Sequence, residues 1–282
     1  MLENHLLPMG RSLVYLLEAF LLLWIARAAY TRLYRRVDLK AELFGRNNHA
    51  LAVATVGYFL GIVLALGGVL SGPSQGFKAD LAYIAVYGVE AILLMLVASV
   101  LCERVLLPRF DNTKEVVQDR NLGAAFVEAG VHVANGLIVL AINQGTGPWA
   151  SKLAFWALAQ LALLLAGLVY EWVTPHQVHV ELERDNAAVG LAFGGVLVGM
   201  GNIVSVAVTG DFAGWGESLR FFATDVAFGF AVLFLVHKLT GVLLAPGARL
   251  GAEQTEAVPN LGAGLLEAFG YVGGSMLVVW VV

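Results

Sequence analysis

Polar positions punctuate this chain at long intervals, and apolar stretches fill the space between them. Eight such stretches run over roughly 11–30, 48–70, 81–107, 121–142, 152–173, 186–208, 218–245 and 260–282. A helix needs about 20 apolar residues to cross the hydrocarbon core of a bilayer, so each stretch reads as a spanning helix. The period-two alternation of a membrane barrel strand is absent. Inside lipid every backbone N–H and C=O must pair within its own segment, which these helices do. The pattern predicts an all-α, polytopic membrane protein of about eight transmembrane helices built from repeated two-helix hairpins.

Four of the runs open on an asparagine. They begin NHALAVATVGYFLG at Asn48, NLGAAFVEAGVHVANG at Asn121, NAAVGLAFGGVLVG at Asn186 and NLGAGLLEAFGYVGG at Asn260. Asparagine is among the best residues for capping a helix start, so the four mark helix beginnings. Their recurrence signals a copied unit. At longer range, residues 183–199 align with 45–61, and 260–274 align with 121–135. Residues 15–30 resemble 87–102, which makes the first helix the second member of a hairpin. The division expected is an N-terminal helix with a basic linker over 1–44, a four-helix repeat over 45–182 and a three-helix repeat over 183–282. Parallel copies of a two-helix unit are related by an axis along the membrane normal. A pseudo-fourfold ring and two side-by-side bundles both satisfy that relation.

Composition strengthens the membrane reading: 59% of residues are hydrophobic and 13% charged, against roughly 25% charged in soluble domains. Charge placement sets the orientation. Of the 17 Lys and Arg residues, Arg11, Lys78, Lys152 and Arg220 lie on one side. The rest, including Arg32, Arg35, Arg36, Lys40, Arg46, Arg109, Lys114, Arg120, Arg184 and Arg249, lie on the other. Basic loops stay in the cytoplasm. The expected placement is therefore a multi-pass membrane protein with both termini outside and the segments 31–47, 108–120, 174–185 and 246–259 inside. The first run is not a cleavable signal peptide, because its positive cluster follows the apolar stretch. A single cysteine, Cys102, excludes an internal disulfide framework. Pro108, Pro175 and Pro246 follow inward-running helices as stops.

The Asn-led runs resemble the YjfL-like family of bacterial inner-membrane proteins, a domain-of-unknown-function family. The residues that carry the likeness are Asn186 with Ala187, Ala188 and Gly190, then Gly194 and Gly195, and Asn121 with its Gly and Ala neighbours. It covers roughly 45–282, in an internally duplicated form with an extra N-terminal helix. The resemblance implies a helical inner-membrane protein discussed beside envelope-stress proteins, and implies no activity.

Chemistry is carried by polar residues inside the apolar runs. A carboxylate at a helix centre costs about 2.5–3.5 kcal/mol on insertion scales and is a functional candidate by default. Glu18, Glu90, Gln160 and Asp225 fall at matching depths of the second members of the hairpins and are expected to form one outer layer. Glu128 and Glu267 each lie seven residues after their asparagine. His132 and Tyr271 follow four residues later, on the same helix face. Carboxylates and histidine are the usual members of proton relays. The competing explanation is structural, since a neutral buried Glu also bonds neighbouring helices. Gly57, Gly61, Gly194, Gly195, Gly199 and Gly201 suit close helix contact. His176 and His179 lack the companions of a metal site, so no metal and no other cofactor is expected.

No nucleophile elbow, phosphate loop, HExxH or nucleic-acid motif is present, and an enzyme is not expected. The leading reading is a channel or transporter for protons or small cations that uses Glu18, Glu90, Glu128, His132, Gln160, Asp225, Glu267 and Tyr271. The alternative is a non-transporting scaffold or anchor for a cytoplasmic envelope-stress partner. The partners named by these readings are the lipid bilayer, protons or small cations, a cytoplasmic protein and a second copy in a homo-oligomer, with no nucleic acid.

Overall fold

The computed structural model describes residues 2–33, 37–101, 104–105, 111 and 113–281. Arg35, Arg36, Cys102, Pro108 and Arg109 lie outside the described residues. Among the described residues, eight helices are long and apolar enough to cross a membrane. They are α1 (Leu2–Leu33), α2 (His49–Leu70), α3 (Phe77–Leu101), α4 (Leu122–Gln144), α5 (Trp149–Val173), α6 (Ala187–Thr209), α7 (Trp215–Leu244) and α8 (Leu261–Val281). No strand occurs among the described residues.

The four Asn-led helices form the core of the molecule. They stand in a row, with α2 packed along α4, α4 along α6 and α6 along α8. The row does not close into a fourfold ring: α2 and α8 are its two ends. On its flanks, α1 and α3 cover α2 and α4, while α5 and α7 cover α6 and α8.

Small residues let the row form. A Cβ built at Gly57 would lie 2.4 Å from the Ala129 Cα, one at Gly61 would lie 2.3 Å from the His132 carbonyl, and one at Gly195 would lie 2.5 Å from the Ala268 Cα. At these positions backbone meets backbone, as expected where dispersion and close approach hold helices together in lipid. Gly194, Gly199 and Gly201 do the same work against Phe126, Tyr271 and Ala134.

Each asparagine caps its own helix. The side-chain oxygens of Asn48, Asn121, Asn186 and Asn260 accept from backbone N–H groups two or three residues on. The turn before each cap also repeats. The asparagine N–H donates to the carbonyl of Glu42, Glu115, Glu181 or Glu253. In three copies the preceding residue is left-handed: Asn47, Arg120 and Asp185 have φ of 51°, 57° and 59°. Pro259 occupies that place in the fourth, where its ring forbids positive φ.

The caps also stitch the copies together. The Asn48 amide donates to the Val116 and Val117 carbonyls, Asn121 to Leu182 and Asn186 to Gln254. Each copy thus reaches into the linker of the next. Among the described residues Asn260 reaches no other linker, and it donates to its own Glu253 at 3.5 Å. We expect Asn186→Ala to lose about 1 kcal/mol for the cap and a further ~1–3 kcal/mol for the orphaned Gln254 carbonyl. Asn260→Ala should lose only the cap. Thermal melts in detergent read the difference, and equal shifts for the two variants would remove the stitching account.

Candidate functional site

Two clusters of buried polar side chains pack against the row, one at α4 and one at α8, about 10 Å below the capped ends at 1.5 Å per residue. In the first, Glu128 and His132 lie one turn apart on α4, with 3.4 Å between Glu128 Oε1 and His132 Nε2. The same Oε1 accepts from the Tyr30 hydroxyl of α1 at 3.4 Å. Ser99 of α3 lies 3.4 Å from His132 Nδ1. Tyr58 of α2 stacks on Tyr30, ring centroids 4.3 Å apart, and donates its hydroxyl to the Ala26 carbonyl. All five are buried.

The second cluster has the same plan with one exchange. Glu267 of α8 accepts from the Tyr170 hydroxyl of α5 at 3.3 Å, and Phe193 of α6 stacks on Tyr170. The residue one turn after Glu267 is Tyr271, where the first cluster has histidine. The imidazole comes instead from α7: His237 Nδ1 lies 3.4 Å from Glu267 Oε1 and 2.8 Å from the Tyr271 hydroxyl. His237 thus stands against Tyr271 as Ser99 stands against His132. A Glu, a His and tyrosines meet in both clusters, though the histidines come from non-equivalent helices.

The second cluster is tied to the capped face. Gln254, fully buried in the last linker, donates from its side-chain amide to Glu267 Oε2 while its backbone carbonyl accepts from Asn186. His176 lies in the neighbouring loop with both ring nitrogens shielded from solvent. Burial holds its pKa below the ordinary histidine value, a shift that Glu267 and Glu181 partly offset. The two histidines differ in access. The His237 side chain is 31% exposed and that of His132 only 2%. A small cleft of about 50 Å³ reaches Tyr170, His237 and Tyr271 between α5 and α7, enough for a few waters by volume.

Of the eight candidate residues, the structure brings Glu128 to His132 and Glu267 to Tyr271. The expected outer layer of Glu18, Glu90, Gln160 and Asp225 does not assemble. No hydrogen bond or ion pair joins any two of these four among the described residues. Glu90 accepts from the Trp149 indole at 3.0 Å. Asp225 lines a separate recess of about 230 Å³ with Lys152 and Asp211. Glu18 is partly exposed on α1, which lies at the edge of the bundle. Gln160 alone is buried, and it donates to Asn135 Oδ1 at 2.7 Å. The physical reason is the packing: the helices that carry them, α1, α3, α5 and α7, flank the row and do not surround a common axis. His179 pairs with Glu171.

Four side chains of these clusters escape the sequence reading: Tyr30, Tyr170, Ser99 and His237. Tyr30 and Tyr170 had a signal, since each lies near the capped-face end of its helix, 140 positions apart (30 to 170). His237 had none, because its partners Glu267 and Tyr271 lie on another helix.

Comparison with known proteins follows the same halves. The family described as Domain of Unknown Function (DUF350) matches the chain twice, over residues 1–142 and 146–282. Each stretch holds four spanning helices and one cluster, and the first helix, unpaired in the hairpin reading, falls inside the first stretch. The chain is also similar to a UPF0719 transmembrane protein of Aquifex aeolicus (strain VF5), with 21% identity over 267 residues that cover 91% of this chain and 95% of that protein. No solved structure matches. The chain is an integral membrane protein that belongs to the DUF350 family and carries that unit in tandem.

Proposed function

We propose that the protein moves protons, or small cations exchanged for them, across the membrane through its two Glu–His–Tyr clusters. The observation that carries this reading is the relocated histidine. Duplication alone would have kept His at position 271 or lost it. Here the imidazole returns from α7 to the same carboxylate. A Glu–His pair in low dielectric can pass a proton between two defined sites, and the tyrosine hydroxyls extend the hydrogen-bonded path. Asn135 with Gln160, one turn beyond His132, and Asn202 with Ser275, one turn beyond Tyr271, continue polar character toward the opposite face. The excess of basic residues on the capped side supports a cytoplasmic placement of the clusters.

The test is a proteoliposome flux assay with an internal pH dye under an imposed potential. Wild-type protein should dissipate the pH gradient. Glu128→Gln and Glu267→Gln should each slow it by about tenfold or more, a barrier change of ~1.4 kcal/mol. Glu90→Gln, remote from both clusters, should leave the rate near wild type. If wild-type protein moves no H⁺, K⁺ or Na⁺ under any gradient, the reading fails. The scaffold reading draws on the dryness of the first cluster, whose Glu128 and His132 are packed against Tyr30 and Tyr58. It would then stand alone, with the linkers of the capped face as its contact surface.

A further inference from the structure

At the face opposite the caps, α2 and α4 end beside one another around a recess of about 520 Å³. Its lining includes Tyr15, Ser71, Asp80, Tyr83, Asn143 and Thr146, and no Lys or Arg. Three features there agree in sign. The last carbonyls of two helices converge on the recess, and a helix C-terminus carries about half a negative charge. The Gln144 side chain, bonded to Ser71 Oγ at 3.0 Å, holds the two ends together. The Asp80 carboxylate is fixed at the rim by the Tyr15 hydroxyl at 2.7 Å, the Ser74 hydroxyl at 2.6 Å and the Gln75 N–H at 2.8 Å. Two tyrosine rings supply π faces that attract ammonium groups. Arg11 lies over the Phe77 ring, outside the lining.

Asn143 gives the recess a second, independent pointer to a ligand. It is 5% exposed, and neither its amide nitrogen nor its amide oxygen has a hydrogen-bond partner. Leaving a buried polar group unpaired costs about 1–3 kcal/mol, so both ends of this amide await a guest. The amide NH₂ repels a bare metal ion and suits a hydroxyl or carbonyl oxygen. The space also exceeds what a bare ion needs. We propose that the recess binds a small organic cation in which an ammonium group and a hydrogen-bonding oxygen lie a few bonds apart, the chemistry of an amino alcohol. Such a group arrives either as a free solute or as the headgroup of a lipid. The proposal is independent of the Glu–His–Tyr clusters.

The experiment is titration calorimetry with ethanolamine and choline on the full chain in nanodiscs of phosphatidylglycerol. Saturable binding of either is expected, with affinity reduced about tenfold or more by Asn143→Leu and by Asp80→Asn. Tyr83→Leu, which removes a π face and no charge, should weaken choline more than ethanolamine. A melt of each variant excludes unfolding as the cause. Repeating the titration in phosphatidylethanolamine nanodiscs separates the sources: loss of apparent affinity there identifies the lipid headgroup as occupant, and unchanged affinity identifies the free solute. Glu128→Gln should bind as wild type even where its flux is lost. Absence of binding in phosphatidylglycerol overturns the proposal. So does equal competition by K⁺, and so does binding that survives both Asn143→Leu and Asp80→Asn.

Discussion

Gly130→Leu should leave no folded protein in detergent. A Cβ at this position would stand 2.6 Å from both the Cα and the carbonyl oxygen of Gly194. Both obstacles are backbone, so no side chain can rotate away. One methyl already forces α4 and α6 apart, and a leucine adds three more carbons. Overpacking a well-packed core costs about 1–3 kcal/mol when neighbours can shift. Here they cannot, and the displaced contact is the centre of the row. Gly190 is as tight, with its Cβ 2.2 Å from the Gly123 carbonyl. The control is Gly216→Leu at the start of α7, where nothing lies within 4 Å. Size-exclusion chromatography with a thermal melt compares the three. A Gly130→Leu protein that elutes and melts like wild type would show that α4 and α6 are not in contact.

The relocated histidine predicts a rescue. His237→Ser alone should slow proton flux about tenfold or more, since Glu267 then loses its imidazole. Tyr271→His in that background recreates the first cluster in the second half: Glu267 with His at the next turn and Ser on the third helix, as Glu128 stands with His132 and Ser99. The double variant should recover most of the wild-type rate. Coupling of this kind between contacting residues is expected to be non-additive. A merely structural role would show in the melting temperature and leave the flux ratio unmoved. Failure of the double variant to exceed His237→Ser, with normal melts for both, would end the view that the helix of origin is immaterial.

The spanning helices were legible because the information is local. A run of about 20 apolar residues has one economical solution in lipid, whatever its neighbours. The caps were legible for the same reason: the Asn side-chain oxygen accepts from an N–H of its own helix's first turn, and it does so in all four copies. Gly57, Gly61 and Gly194 could be read as contact points because only small residues admit a neighbouring backbone. Periodicity even matched Glu128 with Glu267. It misled on Glu18, Glu90, Gln160 and Asp225, where equal depth was taken for proximity. Residues at one level of a membrane meet only if their helices share an axis.

The chain alone therefore determined the class, the helix starts, the duplicated period and the depth of each buried charge, since all of these follow from distances along one helix. Tertiary structure decided the rest. It set the helices in a row where a ring was equally consistent with the repeat. It turned the asparagines from caps into stitches between copies, and brought Tyr30 to Glu128, Ser99 to His132 and His237 to Tyr271, partners 98, 33 and 34 positions away. The reason is geometric. Which two faces touch depends on how glycines of separate helices interlock, a fit between surfaces that no single stretch of sequence contains.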